Sequence, residues 1–224
     1  MSSRWQVSAA VVCLVLGPLA MFAQFVVTPV PGGEASIAET LSAVAAHRTA
    51  MGWALALDVP LLLAIPALFY AGLLAGAATS RMAAIATALV VLPSIGAVVL
   101  VAQDALLYVA AAQADRGAAV AVAQDFVDHP LIALLTFGYL LVHLVAYPLL
   151  ALALRRAGVL PRAMAVALGS WPLLEVVGYG SGTKAIAIVG YFLQFAALAL
   201  CAAGLRSSWR PAGAMRPSSA HAIS

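Results

Sequence analysis

Apolar residues in this chain fall into six long runs, divided by short stretches rich in polar residues, glycine and proline. The plainest run is 131–154, LIALLTFGYLLVHLVAYPLLALAL, which leads straight into Arg155 and Arg156. About 20 apolar residues at about 1.5 Å rise each cross the hydrocarbon core of a bilayer. By this measure the spans are 7–27, 50–78, 82–108, 131–154, 162–179 and 185–205. Breaker clusters separate them, among them Thr28 to Gly33, Thr79-Ser80-Arg81 and Gly178 to Lys184.

Two shorter stretches have helical periodicity without the length to span. In 34–47, Ile37, Leu41 and Val44 share a face, and Ser36 with Glu39 has capping-box spacing. With two acids it is expected to lie on the membrane surface. The second stretch, 116–128, ends in Asp128-His129-Pro130, whose proline opens the fourth span. The expected fold is an all-α membrane protein, a six-transmembrane-helix bundle over 1–206 with two short amphipathic helices on its outer face. A disordered, basic cytoplasmic tail is expected at 207–224, which is rich in Ser, Pro and Ala. The run 7–27 is longer than the apolar part of a signal peptide and no small-x-small cleavage pattern follows it, so it reads as a retained span.

Composition agrees. The 224 residues are 65% hydrophobic and 8% charged, against about a quarter charged in soluble domains, so lipid is the solvent for most of the surface. Basic residues come in ones and twos at span ends, which argues against nucleic acid as a partner. The two cysteines, Cys13 and Cys201, sit inside apolar runs at similar expected depth, where spans 1 and 6 are free to touch.

With the N-terminus inside, Arg4, Arg81, Arg155, Arg156, Arg162, Arg206, Arg210 and Arg216 are cytoplasmic, and Arg48, Arg116 and Lys184 are outside. Eight against three is a strong positive-inside bias. All eight acids then lie in outer loops or in the membrane. Both termini are expected in the cytoplasm, and the Ala/Val/Leu-heavy composition fits a bacterial inner membrane.

Ionisable residues inside spans are costly, on the order of 3 kcal/mol at the bilayer centre, and mark sites or buried pairs. Asp58, Asp104, His143 and Glu175 are the ones here. Tyr139, His143 and Tyr147, each four residues apart, form one polar stripe with Thr136. Tyr108 follows Asp104 by four, Tyr179 follows Glu175 by four and Trp171 precedes it by four, placing phenol donors near both carboxyls. Pro148 and Pro172 free backbone carbonyls one turn earlier. The expectation is an outward-facing polar pocket lined by spans 2, 3, 4 and 5, with His143 at its floor. Packing is the competing reading: Asp104 and Tyr108 at the headgroups, Asp58, Glu175 and His143 in helix-to-helix hydrogen bonds, and Tyr147 facing lipid.

Other motifs give less. Val176-Val177-Gly178-Tyr179-Gly180 looks like a potassium-channel filter, but it lacks the usual threonine, and a re-entrant loop here would turn the arginine-rich tail outward. Gly178 to Lys184 lacks the glycine spacing of a phosphate loop. Asp58, His143 and Glu175 supply atom types for zinc or iron, as do Asp125, His129 and His47 at the surface. No Ser/His/Asp triad and no cofactor motif is legible. Gly72 and Gly76 make a G-x-x-x-G, read as close packing within the chain before dimerisation.

The leading functional expectation is binding or movement of a small solute, with proton exchange on Asp58, Glu175 or His143. A membrane-embedded metal-dependent enzyme or redox protein is the second, and an accessory or scaffold subunit the third. The partners are the lipid bilayer, the solute, and a homo-oligomer or a partner membrane protein.

Overall fold

A computed structural model describes residues 4–30, 35–77 and 79–208. Their regular structure is all helix, in ten segments that run as eight rods. Six rods are long and apolar enough to cross a membrane. Span 1 is Arg4–Val27, span 2 Arg48–Leu74, span 3 Arg81–Ala110, span 4 Pro130–Arg156, span 5 Arg162–Gly180 and span 6 Lys184–Leu205. The helix of span 6 runs on to Ser208, so residues 207 and 208 are helical; the rest of the tail expected at 207–224 lies outside the described residues.

Each span packs on its neighbours in sequence, and span 6 returns to span 1, closing a ring. Six crossings put the ends at Arg4 and Leu205 on the same face, with Arg81, Arg155, Arg156 and Arg162. The opposite face carries the two short helices, Ile37–Ala46 and Arg116–Asp128.

Two spans are broken near mid-depth. Pro66 has no N–H for the Leu62 carbonyl, and the helix of span 2 stops at Leu61 and restarts at Ala64. The link is tightened by Leu63 N–H to the Pro60 carbonyl at 3.0 Å and Ile65 N–H to the Leu62 carbonyl at 3.2 Å. Pro93 does the same in span 3, where helix ends at Val91 and resumes at Ile95. There the Ser94 hydroxyl donates to the Val90 carbonyl at 2.6 Å. Pro18, Pro148 and Pro172 sit inside unbroken helices. Pro148 and Pro172 lack the N–H that would reach the carbonyl one turn earlier, and the helices of spans 4 and 5 continue through them.

The break in span 2 redirects it. Its second half, Ala64–Leu74, enters the centre of the ring on the arginine side and touches spans 1, 3, 4 and 6. Its first half, Arg48–Leu61, stays with spans 1 and 3 and the first short helix. The core is thus filled on the arginine side and left open toward the short helices. Gly17 of span 1 permits the crossing, because a Cβ there would collide with the backbone of Leu63 and Ala64.

The short helices lie at the end of the bundle opposite the arginines, with their apolar faces packed on the ends of the spans. Leu41 and Val44 are fully buried with Met51, Ala54, Leu107, Ala110, Ala119 and Ala123 in a second, smaller core. The two helices touch each other and cap the ends of spans 2 and 3. The expected capping box is present: Ser36 Oγ accepts from Glu39 N–H at 3.2 Å, and Glu39 Oε2 accepts from Ser36 N–H at 2.7 Å. These bonds favour the carboxylate and hold Glu39 below the ordinary glutamate pKa.

The G-x-x-x-G is not a helix-face motif. Gly72 packs onto the Thr87 side chain of span 3, within the chain, while Gly76 lies in the following turn at φ +85°, a conformation that suits glycine.

Candidate functional site

The open centre of the short-helix half is a cavity of about 390 Å³. All six spans line it, and not only spans 2 to 5. Span 1 contributes Met21, Gln24 and Phe25, with Thr28 just past its end; span 2, Asp58 and Leu61; span 3, Ala97, Leu100, Gln103 and Asp104. Span 4 adds Thr136, Tyr139 and Leu140, span 5 Glu175 and Tyr179, and span 6 Tyr191. Met21 and Leu61 lie level with the break in span 2, where its second half closes the centre below. Gly96 lets span 3 approach span 4 beside the cavity, since a Cβ there would meet the Leu135 carbonyl and Tyr139 Cβ at 2.9 Å.

The structure gathers Asp58, Asp104 and Glu175 around this one space. Asp104 is half-buried and accepts from Gln24 Nε2 at 2.9 Å. Glu175, 4% exposed, accepts from the Tyr191 hydroxyl. Asp58 is 2% exposed, and its Oδ2 has no hydrogen-bond partner. The donors anticipated one turn along the same helix are not the ones used. Tyr108 instead lies under the Arg48 guanidinium, 4.3 Å from ring centroid to Cζ. Trp171 is fully buried, with the Tyr147 hydroxyl near its Nε1 but outside bonding geometry.

The basic residues of this face are occupied elsewhere. Lys184 donates to the Thr28 carbonyl, Arg48 to the Tyr108 carbonyl at 3.3 Å and Arg116 to the Ala111 carbonyl at 3.1 Å. Among the described residues, the cavity lining holds no lysine, arginine or histidine.

The stripe in span 4 is buried throughout, but it divides between two environments. Tyr139 lines the cavity, whereas His143 and Tyr147 do not. The His143 ring lies behind Tyr139, with centroids 4.1 Å apart, and 5.1 Å from Tyr147. It is therefore not the floor. Both its nitrogens lack hydrogen-bond partners; the Tyr139 and Val90 carbonyls are near the ring but outside bonding geometry. Tyr147 does not face lipid: it is 2% exposed and accepts from Gln194 Nε2 at 2.9 Å. An aromatic chain runs on from it through Trp171, Tyr191, Phe25 and Tyr179, with successive centroids 4.5 to 5.5 Å apart.

Four polar residues at or beside the site were not anticipated: Gln24, Gln103, Tyr191 and Gln194. Tyr191 and Gln194 are three apart in an apolar run, the same one-face spacing that drew attention to span 4.

Among the described residues, no three His, Cys, Asp or Glu side chains cluster as metal ligands. Asp58, His143 and Glu175 are not assembled as a ligand set, nor are Asp125, His129 and His47. The stretch resembling a channel filter is ordinary helix to Gly180. Cys13 and Cys201 belong to the same core, and both are free thiols.

No family model, curated protein or solved structure matches this chain. The fold and hydropathy define its class: an integral, multi-pass membrane protein.

Proposed function

We propose that the protein binds or moves a small solute through this cavity, entering from the short-helix face. The observation that carries the reading is one cavity of about 390 Å³ lined by carboxylates from three different spans. That volume falls within the usual range of small-molecule sites, about 300 to 1,000 Å³. Carboxylates within a membrane are costly to keep, and they mark solute and proton paths. Asp58, Asp104, Tyr139 and Glu175 contact the solute in this reading, with Asp58 and Glu175 the groups that exchange a proton with it. His143 and Tyr147 hold Tyr139 and the aromatic chain in place. The broken spans 2 and 3 suit such a role, since interrupted helices occur where a membrane protein lines a cavity.

The membrane in this reading is a bacterial plasma membrane with the short-helix face outward. Arg4, Arg81, Arg155, Arg156 and Arg162 share the other face, where no acid of the described chain lies, as the positive-inside rule requires of a cytoplasmic side.

The test is thermal unfolding of the purified protein in mild detergent with a panel of cationic, anionic and neutral small solutes, beside a Leu100→Trp variant that fills the cavity. At least one solute is expected to raise Tm in the native chain and to lose its effect in the variant. No shift across the panel, or a shift that persists with the cavity filled, would sink the reading.

A further inference from the structure

We propose that the solute class is a monovalent organic cation, of the size of a small alkylammonium, held between the carboxylates and the tyrosine rings of the cavity. This rests on reading the cavity as a solute site, and goes further by naming the charge it accepts.

The argument begins with an imbalance. Three carboxyl side chains, Asp58, Asp104 and Glu175, meet one cavity, and none has a cationic side chain as partner among the described residues. The cations of the same face lie outside the lining: Lys184, Arg48 and Arg116 each donate to a main-chain carbonyl, and among the described residues none pairs with a carboxyl of the cavity. Such an arrangement sets a field of one sign in a space with low-dielectric walls, which concentrates ligands of the opposite sign.

Asp58 supplies an independent observation. Its side chain is 2% exposed, lines the cavity, and leaves Oδ2 without a donor. A buried acceptor without a partner is expensive, and a ligand N–H or a close cationic group would satisfy it. Glu175 and Asp104 already have donors in Tyr191 and Gln24, so Asp58 is the position at which a ligand gains most.

The choice of an organic cation over a metal ion follows from spacing and lining. The carboxylates are too dispersed to form a ligand cluster among the described residues. The space between them holds far more than one ion, and its wall includes the rings of Phe25, Tyr139, Tyr179 and Tyr191. Aromatic faces attract alkylammonium groups through the ring quadrupole, most strongly when water is excluded.

Charged thiol reagents test this directly. In a Cys13→Ala, Cys201→Ala background, a single cysteine is placed in the lining by Thr136→Cys, with Gln103→Cys as a second, independent reporter. Each is reacted with membrane-impermeant thiosulfonates carrying a trimethylammonium, a sulfonate or a neutral group. After correction for intrinsic thiol reactivity, the cationic reagent is expected to react on the order of tenfold faster than the anionic one. Asp58→Asn is expected to reduce that ratio, and tetramethylammonium to slow modification. Equal rates for the two charges, or a faster anionic reagent, overturn the cation assignment while leaving the cavity as a solute site. Failure of the neutral reagent to reach either cysteine overturns the cavity reading itself, and this inference with it.

Discussion

The Tyr191 hydroxyl of span 6 donates to the Glu175 carboxyl of span 5, and both side chains are almost wholly buried. This bond links two adjacent spans at the wall of the cavity and supplies the donor that makes a buried carboxyl tolerable. Removing it leaves Glu175 with an unmet acceptor. Tyr191→Phe is therefore expected to destabilise the bundle by about 1–3 kcal/mol, read as a lower Tm in detergent. Adding Glu175→Gln is expected to recover part of the loss, because a neutral amide is less costly to leave without its partner. A Tyr191→Phe protein as stable as the native one would show that the bond contributes nothing net.

Close packing at Gly17 gives a sharper contrast. A methyl group there meets the main chain of Leu63 and Ala64, which has no rotamer by which to move aside, at the place where span 2 turns inward. Gly17→Ala is expected to cost about 1–3 kcal/mol as an overpacked contact. Gly52 lies in a helix, and a methyl group added to it would meet nothing within 4 Å. Gly52→Ala is expected to be neutral or stabilising by up to about 1 kcal/mol. Thermal unfolding of the pair checks both, and similar losses at the two positions would count against the packing described at the break.

Much of this was legible in the chain because lipid imposes a simple rule. A span has to satisfy its own backbone, so apolar length and flanking arginines locate it, and all six spans and both short helices fall where the pattern put them. The period of the helix also identified the face shared by Tyr139, His143 and Tyr147. It does not say what that face meets. His143, one turn beyond Tyr139, turned out to lie behind the lining, and the donors for Asp104 and Glu175 come from other spans, Gln24 and Tyr191, instead of from Tyr108 and Tyr179 one turn along. Such partners depend on how helices cross. The crossing in turn depends on a break near Pro66 and a glycine at position 17, a pairing of distant residues that no local pattern expresses. What the short helices pack against was hidden for a similar reason. An apolar stripe is the same whether it meets lipid or the ends of spans 2 and 3.

The capping box at the first short helix has a pH signature. Hydrogen bonds from the Ser36 backbone and hydroxyl lower the Glu39 pKa, so its folded value lies below its unfolded one. Its contribution is fully present above the unfolded-state value, near about 4.3 for glutamate, and is lost as pH falls through the lower folded value. Unfolding of the native chain is thus expected to become easier across that acidic window, and Glu39→Ala is expected to be less stable at neutral pH with a flatter response below it. Identical acid profiles for the two proteins would remove the capping box as a source of stability.

His143 separates packing from chemistry. Its ring is 1% exposed, its nitrogens have no partners, and it is held between Tyr139 and Tyr147. A phenyl ring fills nearly the same space without nitrogen atoms to satisfy. His143→Phe is expected to change stability by less than about 1.5 kcal/mol, as shape-conserving core changes do. His143→Ala is expected to cost on the order of 2–4 kcal/mol, since it empties the space that supports Tyr139. The decisive readout is the solute-induced rise in Tm. If His143 acts by holding Tyr139, His143→Phe keeps that rise and His143→Ala diminishes it. Loss of the rise in a well-folded His143→Phe protein would instead assign the ring nitrogens a part in the chemistry of the cavity, reached through the Tyr139 side chain that lies between them and the open space.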